Sequence, residues 1–417
     1  MKHGKKLLWL PLVLGMALLT LFLTHNCLST YTPSERIPYD AERDFSLMAE
    51  AWNTIQNYYV DRSALDHNRL RYGAISGMTN SLGDTGHTVF LTPDMNREQQ
   101  KLTKGNYKGV GIEITLKEGQ VVIVAALDGS PAQKAGLHSG EIIKMVDDRQ
   151  VSAFTLAQVG MLVSGPLGTH VKLTILDPAT NTTSVVTLTR ASIKVKNVRW
   201  ALLPSTGAAH LRIAVFSKRV TDDLNRALED IRRKGIKSII LDLRDDPGGV
   251  LEEAVGCTSQ FLKRGNVLLE KDAAGIIRPV PVKPGGIATD IPLIVIVNGG
   301  SASAAEIMAG ALKDAGRAEL VGVKTFGTGT VLQQFTLSDG SALMLAVEEW
   351  LTPDGHTIWH KGIAPNYVVG LRPNVLPLFP GDEKEKTLSG IKANGDIQLL
   401  TAIKLIKSAE PKRSVVP

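Results

Sequence analysis

The sequence predicts a multi-domain α/β protein with an apolar N-terminal segment, a helical region, a β-rich domain and an α/β layered core. Three patterns support this class. Near the N-terminus apolar residues recur at three- and four-residue spacing, then short β-rich runs alternate with glycine turns, and from about residue 191 apolar strands alternate with helices. With 417 residues, 43% hydrophobic and 21% charged, the chain is long and apolar enough for two or three domains with their own cores.

The charge of the chain does not indicate a nucleic-acid partner. The formal net charge is +6, but residues 1–29 contain three lysines and no acid, and the rest of the chain carries only +3. A nucleic-acid-binding protein concentrates its positive charge on one face or stripe, and no such run is present here.

The N-terminal segment predicts export from the cytoplasm. Residues 7–24 carry no charge, a length at the boundary between a signal-peptide core and a membrane-spanning helix. The lysines before the segment place the N-terminus in the cytoplasm and the rest of the chain outside. The ten residues that follow contain no small-x-small cleavage site, which favours a single-pass membrane anchor; cleavage would instead make the protein secreted or periplasmic.

Two further regions precede the core. In residues 37–103 an apolar stripe predicts one helix, and Leu70–Leu82 predicts a second, followed by a turn that contains His87; the stripe consists of Phe45, Met48, Trp52, Ile55 and Tyr59. Residues 104–190 resemble a PDZ domain, β-rich with short helices, in the order of their strands and turns. The segment Gly109-Val110-Gly111-Ile112 is similar to the PDZ loop whose backbone N–H groups hold a chain-terminal carboxylate.

Residues 191–375 predict the layered core, and residues 376–417 predict a polar tail with a C-terminal helix. Two of the core's apolar strands lead into glycine-rich turns and helices. The first carries the sequence LDLRDDPGG, residues 241–249, whose free N–H groups before a helix suit an anion or an oxyanion. The second is followed by NGGSASAAE, residues 298–306, where a serine can present its hydroxyl beside helix N–H groups. By spacing alone, the favoured interpretation is that Ser301 is a helix cap and Ser303 lies in the first turn, because serine caps are common.

Residues 40–408 resemble the C-terminal processing peptidases, also called tail-specific proteases. The resemblance rests on the order of the helical region, the PDZ domain, LDLR-x-x-PGG, the serine segment, TFG-x-G and LSDGSAL. It implies that residues 191–375 are a serine peptidase core, with Ser303 as nucleophile and an oxyanion hole from the N–H groups of Gly248 and Ala304. It also implies protein or peptide substrates with exposed C-termini and no metal or organic cofactor. Oligomerisation is left open.

One position departs from this family. The resemblance expects a lysine as general base where this chain has Thr328, and a supporting glutamine where it has Leu332, with Gln333 one place along. Threonine does not accept a serine proton near neutral pH, whereas a desolvated lysine does.

Other residues are candidates for a substitute base. Lys324 would lie about 13 Å from Thr328 if both belonged to one strand. Lys361, His360 and His87 are further candidates, each also explained as a surface or packing residue. Glu306 is interpreted as a residue that orients or caps the helix start, and Arg244 as a structural salt-bridge partner.

The sequence therefore leaves two functional hypotheses. The first is an exported, membrane-associated serine endopeptidase that cleaves proteins near their C-termini after PDZ recognition. The second is a catalytically impaired homologue that uses its PDZ groove as a protein-binding adaptor or regulator. A small-ligand binder on the same fold is a weaker third interpretation.

Overall fold

The structure is a computed structural model that describes residues 41–84, 88–102, 107–117, 119–154, 156–193, 195–372, 375–381 and 387–409. The chain divides into two units, Met1–His67 and Asn68–Pro417. The predicted membrane segment 7–24 and the candidate base His87 lie outside the described residues. Within the described ranges, no helix combines the length and apolarity needed to span a bilayer.

The described part of the first unit contains helix α1 (Glu42–Tyr58) and a short 3-10 turn (Arg62–Ala64). The predicted helix is therefore confirmed. None of its side chains is buried, and the apolar stripe that predicted it is half-exposed, with Phe45 at 41% and Ile55 at 40% of full exposure.

Helix α2 (His67–Asn80) corresponds to the predicted second helix. It is followed by strand β1 (Val89–Leu91) and helix α3 (Pro93–Leu102). Strand β1 pairs with a strand near the far end of the core, since Phe90 lies opposite Leu343. This pairing joins β1 to the core within the second unit.

The PDZ region is an antiparallel sheet with two short helices. Its strands, in spatial order, are β3 (Ile112–Lys117), β4 (Gln120–Ala126), β5 (Ile142–Val146), β7 (His170–Asp177) and β8 (Thr182–Thr189). Strand β6 (Arg149–Gln150) pairs with β5, and β2 (Tyr107–Gly109) pairs with β9 (Ala191–Ile193). The remaining elements are α4 (Pro131–Lys134), a 3-10 turn (Val151–Ala153) and α5 (Leu156–Val163). Because β3 is a terminal strand of this sheet, its outer edge is available to an added strand.

The core contains a six-stranded sheet, mostly parallel as the continuous apolar strands predicted. Its order is β10 (Val198–Leu202), β11 (Ala208–Ile213), β12 (Ser238–Asp242), β15 (Leu293–Val297), β16 (Glu319–Gly322) and β19 (Tyr367–Val368). Only the first pair, β10 with β11, is antiparallel. Every residue of β12 and β15 is buried, because helices cover both faces.

Three helices cover one face of this sheet: α6 (Val220–Arg233), α7 (Leu251–Ser259) and α8 (Ala304–Asp314). The other face is covered by α9 (Leu388–Asn394) and α10 (Ile397–Ala409), whose Ile391, Leu399 and Ile403 pack on Ile240 and Ile294. The C-terminal helix predicted as the end of a polar tail is thus a layer of the core. The sequence did not show this, because the apolar face it covers belongs to strands that end at Gly322 or earlier, whereas the helix begins at Ile397.

An antiparallel sheet packs beside the parallel one. Its strands are β1, β18 (Ala342–Leu351), β13 (Asn266–Asp272) and β14 (Ile277–Pro281), and β17 (Thr330–Thr336) pairs with β18. The segment 323–329, between β16 and β17, is a loop. The strand geometry assumed above for Lys324 and Thr328 is therefore wrong.

A buried ion pair joins the PDZ domain to the core. The Arg212 guanidinium of β11 donates to both carboxylate oxygens of Asp128, with Nε–Oδ2 at 2.9 Å and Nη2–Oδ1 at 2.8 Å. Arg199 also contacts this carboxylate. Although burial alone would raise the pKa of Asp128, the two guanidinium groups outweigh it and lower the pKa. The pairing fixes the end of β4 against the core sheet.

Candidate active site

Ser303 lies at the junction between the core sheet and helix α8. It is the N-cap of that helix, with φ 54° and ψ −117°, a conformation that L-residues rarely adopt and that costs about 1–3 kcal/mol. The preceding loop is held by Ser301, which is fully buried, donates from Oγ to the Leu243 carbonyl at 2.7 Å and accepts from the Asn298 N–H at 3.0 Å. Ser301 therefore fixes the loop, and the interpretation of Ser301 as the helix cap is wrong.

The Glu306 carboxylate connects Ser303 to the loop that precedes β17. Its Oε2 accepts the backbone N–H groups of Ser303 and Thr328 at 3.0 and 2.9 Å. Its Oε1 accepts the Thr325 hydroxyl at 2.6 Å and the Gly327 N–H at 2.7 Å. Glu306 is fully buried, and burial raises its pKa to about 7 despite these four hydrogen bonds, because no cation is among its partners. The predicted orienting role of Glu306 is confirmed, and it extends to the loop around Thr328.

Gly248, expected to supply an oxyanion donor, lies directly against the serine. Its φ is 94°, and a Cβ at this position would come within 2.6 Å of the Ser303 Cβ and 2.8 Å of the Ala304 nitrogen. Only glycine is compatible with this approach. The Gly248 N–H donates to Asp246 Oδ1 at 2.8 Å, whereas the Ala304 N–H, the first of helix α8, makes no hydrogen bond within the described part of the chain. The two N–H groups expected to form the oxyanion hole, those of Gly248 and Ala304, therefore lie side by side, but the Gly248 N–H already donates to Asp246.

Asp246 is a site residue that the sequence analysis did not identify. It is fully buried, its Oδ2 has no hydrogen-bond partner among the described residues, and its backbone carbonyl accepts the Ala302 N–H at 2.9 Å. Burial raises its pKa well above the ordinary value. A carboxyl before the Pro-Gly-Gly turn was the available sequence signal.

The candidate bases occupy different environments. Thr328 is buried, with 4% of its surface exposed, and its backbone N–H donates to the Glu306 carboxylate. Lys324, Lys361 and His360 are exposed, and among the described residues none of their side chains hydrogen-bonds to Ser303. The backbone of Lys361 and His360 lies against Gly327, the residue before Thr328. A Cβ on Gly327 would lie 3.2 Å from the Lys361 nitrogen, and the His360 N–H donates to the Gly327 carbonyl at 2.9 Å.

Arg244 belongs to a buried charge cluster at the end of β12. Its guanidinium donates to Asp242 Oδ2 at 2.6 Å and to Asp396 Oδ2 at 2.9 Å, and His210 Nε2 lies 3.0 Å from Asp242 Oδ2. All four side chains are fully buried. Burial opposes ionisation of Asp242, but Arg244 and His210 outweigh it and hold the pKa well below its ordinary value. The predicted salt-bridge role of Arg244 is confirmed.

The predicted carboxylate-binding loop lies at the start of the PDZ edge strand. Gly111 has φ 78°, and a Cβ there would come within 2.3 Å of the Ser130 Cβ. The loop is held by the carbonyls of Val110 and Gly111, which accept the N–H groups of Ala132 and Leu127 at 3.0 and 2.9 Å. The binding role of residues 109–112 stays a prediction.

Comparison with known proteins gives consistent similarities. Residues 207–369 match peptidase family S41, and residues 122–177 match a PDZ domain. The carboxy-terminal-processing protease of Bartonella bacilliformis is 35% identical over 332 residues, covering 78% of this chain and 75% of that protein. The carboxy-terminal processing protease CtpA of Bacillus subtilis is 30% identical over 390 residues, covering 93% and 82%. Among solved structures, the photosystem II D1 C-terminal processing protease has a TM-score of 0.69 and 29% identity, covering 84% of this chain and 97% of that chain.

Proposed function

This chain belongs to the peptidase S41 family of C-terminal processing serine proteases, and we propose that it cleaves protein substrates near their C-termini with Ser303 as nucleophile. The observation that carries the proposal is the placement of Ser303. Ser303 begins a buried helix in a strained backbone conformation, and its N–H donates to the Glu306 carboxylate. The Ala304 N–H next to it makes no hydrogen bond within the described part of the chain. Such a junction presents a hydroxyl next to a donor for the oxyanion of acyl transfer.

The PDZ domain has the role of holding the substrate in this proposal. A peptide adds to the free edge of β3 with its terminal carboxylate on residues 109–112, and its upstream part extends to the core. The lysines before residues 7–24 support a position outside the cytoplasm, anchored in or exported across the membrane.

The proton of Ser303 needs an acceptor in this proposal. Thr328, at the position where the resemblance expects a lysine, does not serve near neutral pH. Lys361 is the favoured substitute, because its backbone already lies against Gly327, and Lys324 is the second candidate.

The second candidate function is a binding protein that holds C-termini without cleaving them. Two observations favour it: the Gly248 N–H is engaged by Asp246, and Thr328 is buried beside the serine loop in place of a basic side chain. Loss of the base in a serine peptidase typically lowers the rate on the order of 10⁴-fold.

The deciding experiment measures cleavage of an unstructured protein with an apolar C-terminus by the full-length chain. We expect slow cleavage that is abolished in Ser303→Ala, reduced in Lys361→Ala, and unchanged in Lys237→Ala, whose exposed side chain lies at the opposite end of β12. If Lys324→Ala alone abolishes it, the base is Lys324. Absence of cleavage by the parent chain, with C-terminal peptides still bound, establishes the binding protein instead.

A further inference from the structure

A cavity of about 560 Å³ lies between the PDZ domain and the core, next to the serine loop. The PDZ side contributes Lys117 of β3 and residues 138–140, and the core side contributes residues 323–326 and the segment around Arg372. Asn298 and Gly299, in the loop that leads to Ser303, also line it. The cavity therefore borders the two loops that flank the candidate active site, the one before Ser303 and the one before Thr328.

Cationic side chains from both domains converge on this cavity. Lys117, Lys324 and Arg372 line it, and none of them forms an ion pair with any residue that the structure describes. The Lys117 ammonium lies 5.9 Å from the centre of the Phe326 ring. Three cations from separate segments thus face one space without a counter-charge of their own.

The acids in the cavity wall do not neutralise these cations. Asp177 is held by its own turn, with Oδ1 accepting the Ala179 N–H and Oδ2 the Thr180 hydroxyl, both at 2.8 Å. Asp245 accepts the Asn298 side-chain amide at 2.9 Å, and burial raises its pKa above the ordinary value. These hydrogen bonds leave Asp177 ionised, but the three cations Lys117, Lys324 and Arg372 outnumber the two acids, so the wall keeps a net positive charge that attracts an anionic ligand.

The geometry of the PDZ edge places a bound peptide across this cavity. A peptide whose carboxylate sits on residues 109–112 runs antiparallel to β3, from Ile112 toward Lys117. At about 3.3 Å per residue, these positions are about 17 Å apart, so the peptide residue about five places before the C-terminus lies opposite Lys117. Phe326, whose ring lies near the Lys117 ammonium, donates its backbone N–H to the Ser301 carbonyl at 3.0 Å. A peptide that passes Lys117 therefore next meets the loop that carries Ser301 and Ser303.

We propose that this cavity, rimmed by Lys117, Lys324 and Arg372, selects polypeptide substrates that carry acidic side chains about five residues before the C-terminus. The proposal rests on the proposed function, because the register depends on a C-terminus held by the PDZ loop. The acidic side chains pair with the cavity cations while the terminal carboxylate binds residues 109–112. The cations thereby set the register at which the upstream chain meets Ser303.

The test measures peptide binding to the full-length Ser303→Ala chain by fluorescence anisotropy. Four labelled peptides share an apolar C-terminal residue and carry either Asp-Glu or Asn-Gln about five residues before it, each with a free or an amidated C-terminus. We expect the acidic peptide with a free C-terminus to bind about three- to ten-fold tighter than its neutral counterpart, the effect of two exposed ion pairs. The preference should shrink between about 0.05 and 0.3 M salt, because salt screens such pairs.

Variants of the cavity cations identify the site of this preference. We expect Lys117→Gln combined with Lys324→Gln to abolish it and Lys324→Glu to favour a peptide with Lys-Lys at the same positions. Lys237→Gln, which removes an exposed cation far from the cavity, should leave the preference unchanged. Equal affinity for acidic and neutral peptides, or a preference that persists in the double variant, overturns the proposal.

The amidated peptides separate this proposal from the proposed function. Loss of affinity on amidation, without any acidic preference, supports C-terminal recognition and overturns only the acidic cavity. Equal binding of free and amidated peptides contradicts recognition of the C-terminus, and with it the register on which the cavity proposal depends.

Discussion

Two buried clusters of acidic residues lie at the carboxyl end of the same parallel sheet, and their charges are arranged in opposite ways. At the end of β12, Asp242 and Asp396, the latter from the segment before α10, both bind the Arg244 guanidinium, and the pKa of Asp242 is lowered. Beside Ser303, Asp246 in the turn after β12 and Glu306 in the helix after β15 have no cationic hydrogen-bond partner among the described residues, and burial raises both pKa values.

The difference separates a structural role from a functional one. In the Arg244 cluster both carboxylates bind the same guanidinium. The cluster therefore joins the C-terminal segment to the sheet and leaves neither carboxylate without a cationic partner. Around Ser303 the carboxyl groups accept backbone N–H groups of the serine and its neighbouring turns, and burial raises the pKa of both groups, that of Glu306 to about 7. Unbalanced buried carboxyls beside a strained residue are typical of sites that perform chemistry or switch.

Adding a cation next to Glu306 should change the activity of the Ser303 site more than any other substitution considered below. Thr328→Lys places an ammonium near the Glu306 carboxylate, which accepts the backbone N–H groups of Ser303 and Thr328. We expect kcat/KM for cleavage of an unstructured protein to rise by about 10²–10⁴-fold, the usual contribution of a general base. Thr336→Lys adds the same charge at an exposed position at the far end of β17 and should have no effect. No gain in Thr328→Lys would mean that the site lacks more than its base.

Removing the cation from the other cluster should destabilise the fold. Arg244→Met removes the guanidinium that both buried carboxylates share, and we expect the free energy of unfolding to fall by about 3–5 kcal/mol. Arg233→Met, which breaks an exposed pair with Asp230, should cost less than about 1 kcal/mol. Urea denaturation of both variants measures the difference, and equal losses would contradict a neutralised structural cluster.

The smallest expected effect is the pH dependence that Glu306 contributes. Its pKa is about 7 in the folded chain against an ordinary value of 4.5, so the folded state binds this proton more tightly. Stability from Glu306 is therefore fully present below about pH 4.5 and is lost as the pH rises through about 7.

Glu306→Gln tests this sign. The amide does not ionise, so we expect a flatter dependence of the free energy of unfolding on pH. Relative to the parent chain, the variant should be least stable near pH 4.5, where the Glu306 contribution is fully present, and should gain about 3 kcal/mol on the parent by pH 8. Urea denaturation between pH 4.5 and 8 checks it, with Glu229→Gln at an exposed position as control. An unchanged pH slope in Glu306→Gln would show that another carboxyl carries the dependence.

Much of this organisation could be predicted from local patterns in the sequence. Continuous apolar runs predicted β12 and β15 as strands covered on both faces, and Glu306, one helical turn past Ser303, indicated an acid that orients the helix start. These features depend on neighbours a few residues away, which periodicity and spacing report directly.

The long-range contacts were decided only by the tertiary structure. Glu306 reaches Thr328, 22 residues on, and Arg244 binds Asp396, 152 residues on, because the sheet brings the ends of separate strands together. The engagement of Gly248 by Asp246 depends on the detailed path of one turn, and the cavity between Lys117 and Lys324 exists only because the PDZ domain is docked on the core. Short-range patterns were enough to predict the main strands and helices of the core, the order of the domains and the resemblance to the family. Which charges meet, and which remain unbalanced, was determined by packing between segments distant in the chain.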